Sequence, residues 1–117
     1  MDKVKSYRDL QVWQKAVELA VHIYRVTEMY GLTSQMRRAA VSIASNIAEG
    51  HHRSQAEFSR YLTIARGSLS ELETQLEIAL RIKCLSEKDC AELSEEVGIL
   101  GRQLNVFHQR VNSSPDR

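Results

Sequence analysis

Between Phe58 and Ala79 the apolar residues Phe58, Leu62, Ala65, Leu69, Leu72, Leu76 and Ala79 follow one another at alternating intervals of four and three. A strand would send such residues to both faces, whereas a helix gathers them on one. The seam predicts a single long helix over about residues 55–82, about 42 Å long at 1.5 Å per residue. A stripe this narrow and continuous is coiled-coil-like and must be covered by facing helices. Ser54 and Glu57 have the spacing of a capping box at its start.

The same alternation returns in Cys90, Leu93, Val97, Leu100, Leu104, Phe107 and Val111, which predicts a helix over about 87–111. Ser86 stands where an N-cap belongs, with Glu87 and Asp89 in the first turn. Upstream, Leu10, Trp13, Val17, Ala20, Tyr24 and Thr27 share one face of a helix over about 9–30, with Gly31 as its expected C-terminal cap. Met36, Ala40, Ile43 and Ile47 form the apolar row of a helix over about 34–49, followed by Gly50. Ala39, Ala44 and Ala48 widen that row, and Ser42, Ser45 and Asn46 interrupt it; such small side chains let helices approach closely. The connections are short and force successive helices antiparallel. The expected fold is all-α: one up-down-up-down four-helix bundle over residues 1–117, with a polar, frayed tail from Asn112 to Arg117. The single Pro and the five Gly agree with few turns.

Helices one and two carry more apolar surface than one packing seam needs. Beside the first stripe of helix one lies a second, Val12, Leu19 and Val26, with Ala16 and Ile23 between them. Helix two has no charge from Ala39 to Ala48. Surplus apolar surface marks an interface, so Val12, Ala16, Leu19, Ile23, Val26, Ile43 and Ile47 are the expected contacts of a homo-oligomer. Trp13 and Tyr24 are expected as core aromatics.

The net charge is only +1, but residues 1–70 sum to +4 and residues 71–117 to −3. That asymmetry allows a basic and an acidic face on one small body. Arg37, Arg38, Arg53, Arg60 and Arg66, with His51 and His52 among them, are the candidate nucleic-acid-binding set, because guanidinium forks suit phosphate oxygens. The competing expectation is that Arg37 or Arg38 pairs with Glu49, Glu57 or Glu71. A helix-turn-helix over 40–66 is disfavoured by the length and continuous seam of its second helix.

Signals for other chemistry are weak. His51 and His52 are adjacent in a turn and lack a third metal ligand, and no paired Glu-x-x-His of the di-iron kind occurs. Cys84 and Cys90 match no zinc or redox spacing. Ser42, Ser45 and Ser68 have no His/Asp framework, and no glycine-rich phosphate loop is present. The expectation is a protein with no catalytic residue, metal or cofactor. The N-terminal stretch lacks a secretory apolar core, and no uninterrupted apolar run is long enough to span a bilayer. A cytoplasmic protein without membrane contact is expected.

Three separated blocks resemble a known bacterial family. They are Tyr7 to Ala16, YRDLQVWQKA; Gln35 to Gly50, with QMRRAA, Ser42-Ile43 and NIAEG; and Glu57-Phe58, Tyr61-Leu62, Ile64-Ala65 and Gly67-Ser68. In order and spacing they are similar to small four-helix proteins first noted as reading frames within intervening sequences of the 23S ribosomal RNA gene. The likeness spans about residues 6–110. It implies a four-helix bundle assembled as a ring-like homopentamer, and carries over no catalytic residue. Accessory proteins of diversity-generating retroelements are a related group of barrel-shaped pentamers that bind a reverse transcriptase and nucleic acid. The resemblance leaves the biochemical role of the intervening-sequence members open; with the arginines it gives the expectation of a non-enzymatic homo-oligomer that binds RNA, DNA or a nucleic-acid-handling protein, the alternative being a pure protein-interaction scaffold. In a ring, Arg37 and Arg38 would lie near a rim where copies pool their charge.

Overall fold

A computed structural model describes residues 4–28 and 31–113. The chain enters through a 3-10 turn at Tyr7–Asp9. Ser6 caps it: the Ser6 hydroxyl accepts from the Arg8 amide at 2.9 Å, and the Asp9 carboxylate accepts from the Ser6 amide at 3.2 Å. Four helices follow: α1 Gln11–Val26, α2 Gly31–His51, α3 Gln55–Arg81 and α4 Glu87–Ser113. No strand occurs among the described residues.

Helix α1 is shorter than its periodicity suggested, because Asp9 is engaged in the entry turn and Thr27 adopts an extended backbone. The expected continuation to Tyr30 includes residues 29–30, which lie outside the described residues, as do 114–117 of the expected frayed tail. Gly31 has a φ of +57° and opens α2, so its left-handed freedom serves the connection and not the end of α1. Gly50, expected as a cap, lies inside α2. A Cβ there would stand 2.7 Å from the Tyr61 Cβ and 2.8 Å from the Phe58 ring. The glycine is therefore required by the closeness of α2 to α3. Ser54 accepts from the Glu57 amide at 3.3 Å and Ser86 from the Asp89 amide at 3.0 Å, as the cap positions predicted.

Each helix packs on the next, and α1 closes against α4. Ser42 of α2 meets Ser68 of α3, while Gly50, further along α2, meets Phe58 and Tyr61, earlier in α3. Advancing along one helix retreats along the other, so this pair is antiparallel. Gln55 with Val111 and Arg66 with His108 give the same sense for α3 and α4. The body measures 46 × 24 × 20 Å, its long axis matching helices of this length.

The α3 seam, Phe58 to Ala79, is buried at every position. On α4, Cys90, Leu93, Val97, Leu100, Leu104 and Val111 are buried, with Phe107 packed partly against them. On α1 the second stripe is buried, and the first is mixed: Leu10 and Thr27 are buried, Trp13, Val17 and Ala20 are half-buried and only Tyr24 is exposed. Val12, Ala16, Leu19 and Ile23, with Ile43 and Ile47 of α2, are buried within the single chain, and Val26 is half-buried against that core. These seven face inward, and the apolar residues that α1 leaves open are Val21 and Tyr24. Tyr24, expected in the core, is 44% exposed.

Candidate functional site

The surplus apolar surface opens between α1 and α2. Val17, Ala20, Val21 and Tyr24 from α1 meet Val41, Ala44 and Ser45 from α2 around a groove of about 480 Å³. Val21, Tyr24 and Val41 are each more than 40% exposed. Arg25 at the edge is the one charged residue lining it. Apolar side chains recur here because α1 has a second apolar stripe and α2 lacks charge along ten successive positions. Elsewhere, Ile64 and Ile78 on α3 are 41% and 43% exposed, on a helix whose seam is already buried.

Of the arginines expected as one basic set, Arg53 and Arg60 meet over the Tyr61 ring, 5.6 and 4.9 Å from its centre, while Arg37, Arg38 and Arg66 face other partners or clefts. Arg37 points back to α1: its Nε donates to the Thr27 hydroxyl at 2.9 Å, and its Nη2 donates to the carbonyls of Tyr24, at 3.3 Å, and of Thr27. Its guanidinium carbon lies 4.4 Å from the Tyr24 ring centre. Arg37 thus satisfies carbonyls left open at the end of α1. Arg53 pairs with Glu49, four residues before it, and that hydrogen bond holds its pKa above the usual arginine value. Arg66 turns toward α4 and donates to His108. Arg60 is exposed and rests against the Tyr61 ring, 4.9 Å from its centre. Arg38 is exposed on the α2–α3 side, where it lines a polar cleft with Gln35, Ser42, Ser68, Glu71 and Gln75. Neither Arg37 nor Arg38 forms an ion pair among the described residues.

Sequence reading missed a second basic pair. Arg102 and Arg110 are exposed, flank Val106 on α4, and line a groove with Gln11, Val12, Gln103 and Phe107, with no acidic side chain in it. Their spacing of four and eight residues along one helix face was the available signal.

One serine stands beside a histidine, and its wiring argues against nucleophilic chemistry. The Ser59 hydroxyl is 3.0 Å from Nε2 of the buried His108, while Arg66 donates to Nδ1 at 3.2 Å. With Nδ1 accepting, a neutral imidazole carries its proton on Nε2 and donates to Ser59. Ser59 in turn donates to the Asn112 side chain at 2.6 Å. A general base would need the opposite tautomer. Burial, and next the Arg66 charge, push the His108 pKa down.

His51 and His52 pack edge-on against Phe58 and Tyr7, with ring centres 5.8 and 5.6 Å apart. No group of three potential metal ligands gathers among the described residues. Cys84 is exposed and Cys90 buried, both free, with burial raising the Cys90 pKa. No helix of the described residues is long and apolar enough to cross a membrane.

The profile of the family described as 23S rRNA-intervening sequence protein matches residues 8–106. Among solved structures, the chain is similar to a protein of unknown function from the S23 ribosomal protein family of Bacteroides thetaiotaomicron. The identity is 24% and the TM-score 0.79, covering 84% of this chain and 95% of that one. At that identity the likeness establishes the fold. No curated protein matches the chain.

Proposed function

The chain belongs to the 23S rRNA-intervening sequence protein family, and from that premise we propose that it is a non-enzymatic bundle that works as a homo-oligomer, a ring of five as its resemblance implies. The observation that carries this reading is the apolar groove of α1 and α2, where Val21, Tyr24 and Val41 remain open although the core beneath is complete. Exposed apolar surface of this kind is characteristic of an interface. A ring closes through heterologous contacts, which require two different patches on each subunit. In this reading the groove is one, and the outer side of α3, where Ile64 and Ile78 are exposed, is the other. Val21→Lys combined with Val41→Lys tests it. The expected result is a helical monomer by light scattering and circular dichroism; an unchanged particle mass would overturn the groove as the interface.

A second reading, binding of RNA or DNA, is favoured by Arg102 and Arg110, two cations without an ion-pair partner among the described residues, along a groove lined by no described carboxylate. Repetition around a ring multiplies such a modest patch. Binding through phosphate must weaken steeply with salt. Arg102→Ala plus Arg110→Ala is expected to lower RNA affinity and flatten its salt dependence. Equal affinity in the variant would remove this reading and leave the protein-interaction scaffold.

A further inference from the structure

We propose that Arg25, at the edge of one copy's α1–α2 groove, pairs with Glu71 on α3 of the next copy, and that Ile64 of that next copy seats in the groove one level below the pair. This pairing rests on the groove being the interface between copies, and it adds the contact that fixes how they meet. Ile64, Glu71 and Ile78 stand seven residues apart and are all exposed, so α3 carries a second stripe on its solvent side. Gly67 and Thr74 lie on the same stripe, which leaves Glu71 as its one charge between Ile64 and Ile78. Arg25 is likewise the one charge lining the groove. Each face thus holds a single charge, and the two are opposite in sign.

The two charges stand at one level of the bundle. Arg37 of α2 donates to the Tyr24 carbonyl at 3.3 Å and lies over the Tyr24 ring, which sets the residue before Arg25 beside Arg37. Arg38, the next residue of α2, lines one cleft with Glu71 of α3. Arg25 and Glu71 are therefore level to within about one helical turn. Helices α1 and α3 also rise in the same direction, because each runs against α2. For α1 this follows from Tyr7, just before it, meeting His52, just after α2, while Tyr24 late in α1 meets Arg37 early in α2. Ile64, seven residues before Glu71, is about 10 Å lower. That is the level of Val17 and Val21 in the groove wall. In a ring whose axis runs along the bundle, rotation carries every residue round at constant level, so only patches that are level can meet. The two patches also lie on adjacent sides that share α2: the groove opens between α1 and α2, and Glu71 lines the α2–α3 cleft. Two different patches are what heterologous closure needs.

Neither charge is engaged within its own chain. Arg25 and Glu71 form no ion pair among the described residues, and Arg38, although it shares a cleft with Glu71, does not close on it. Charges are depleted at the centre of interfaces. One complementary pair there fixes register and excludes other matings, because like charges brought face to face are costly. A wholly apolar partner would leave Arg25 without a mate. A second copy supplies the carboxylate and the apolar side chain on one helix face, at the matching level.

The test is native mass spectrometry and light scattering of the full chain, comparing the parent, Arg25→Glu, Glu71→Arg and the double reversal across a dilution series. The parent is expected to be oligomeric at tens of micromolar. Each single reversal sets like charges against each other and should weaken assembly at least about tenfold. The double reversal restores an opposite pair and should bring assembly back to the parent level. Both positions are exposed, so circular dichroism of the single variants should match the parent, which separates lost mating from misfolding. With an oligomeric parent, single variants that assemble as the parent does, or a double variant as dissociated as the singles, would overturn the pair and leave the groove reading standing. A parent that is monomeric throughout would overturn the groove reading and the pair with it.

Discussion

Arg66 of α3 donates a hydrogen bond to Nδ1 of His108 on α4, at 3.2 Å, and so orients a buried imidazole in its neutral form. The chain Arg66 to His108 to Ser59 to Asn112 then runs in one direction and ties the two long helices together. Protonating Nδ1 would break the first link and set two cations side by side.

Acid should therefore weaken the fold through this site. The unfolded chain takes up its His108 proton near the ordinary value of 6.5, whereas the folded chain takes it up at lower pH. Above 6.5 both states are neutral here and the contribution is complete. As pH falls from there toward the lowered folded value, the unfolded state binds more protons and stability declines. Urea denaturation across this window is expected to give a smaller pH slope for His108→Gln than for the parent. An identical slope would contradict the assignment.

Two glycines should respond to alanine in opposite directions. At Gly50 the added methyl meets Tyr61 Cβ and the Phe58 ring below 3 Å, so α2 and α3 must move apart. A loss of about 1–3 kcal/mol is expected from overpacking. At Gly67 nothing lies within 4 Å of the new Cβ. There the gain in helix propensity is expected to stabilise by about 0.5–1 kcal/mol. Paired urea midpoints of the two variants check both signs.

Arg37→Ala should destabilise the bundle by about 1–3 kcal/mol, because it strips a charged donor from the carbonyls that end α1. Lysine should rescue little, since one ammonium cannot reproduce the guanidinium fork over Tyr24. Chemical denaturation of the three proteins measures this. Full stability in Arg37→Ala would mean that the clamp is not an anchor.

The seams of α3 and α4 were legible because each carries one apolar stripe between polar faces. Phe58 through Ala79 could turn only one way. Helix α1 was ambiguous for the opposite reason: both its stripes are apolar, and period alone cannot say which meets the core. The stripe with Ala16, Leu19 and Ile23 is fully buried, while Val17 and Ala20 are half-buried beside it and Tyr24 is left exposed. The arginine set was only partly legible: Arg53 and Arg60 share the Tyr61 ring, whereas Arg37 turns to α1 and Arg66 to α4. Arg37 reaches backbone carbonyls, partners that carry no mark in a sequence. Gly50 could be read as punctuation, but its true constraint, the approach of Tyr61, appears only once the helices are packed.

Shared burial of the α1–α2 groove is the central claim, and the most direct test is particle mass. Native mass spectrometry of the full chain, supported by light scattering at tens of micromolar, should give one discrete multiple of 13.4 kDa, with five the expected number. A stable 13.4 kDa monomer throughout that range, with Val21, Tyr24 and Val41 open to solvent, would contradict it.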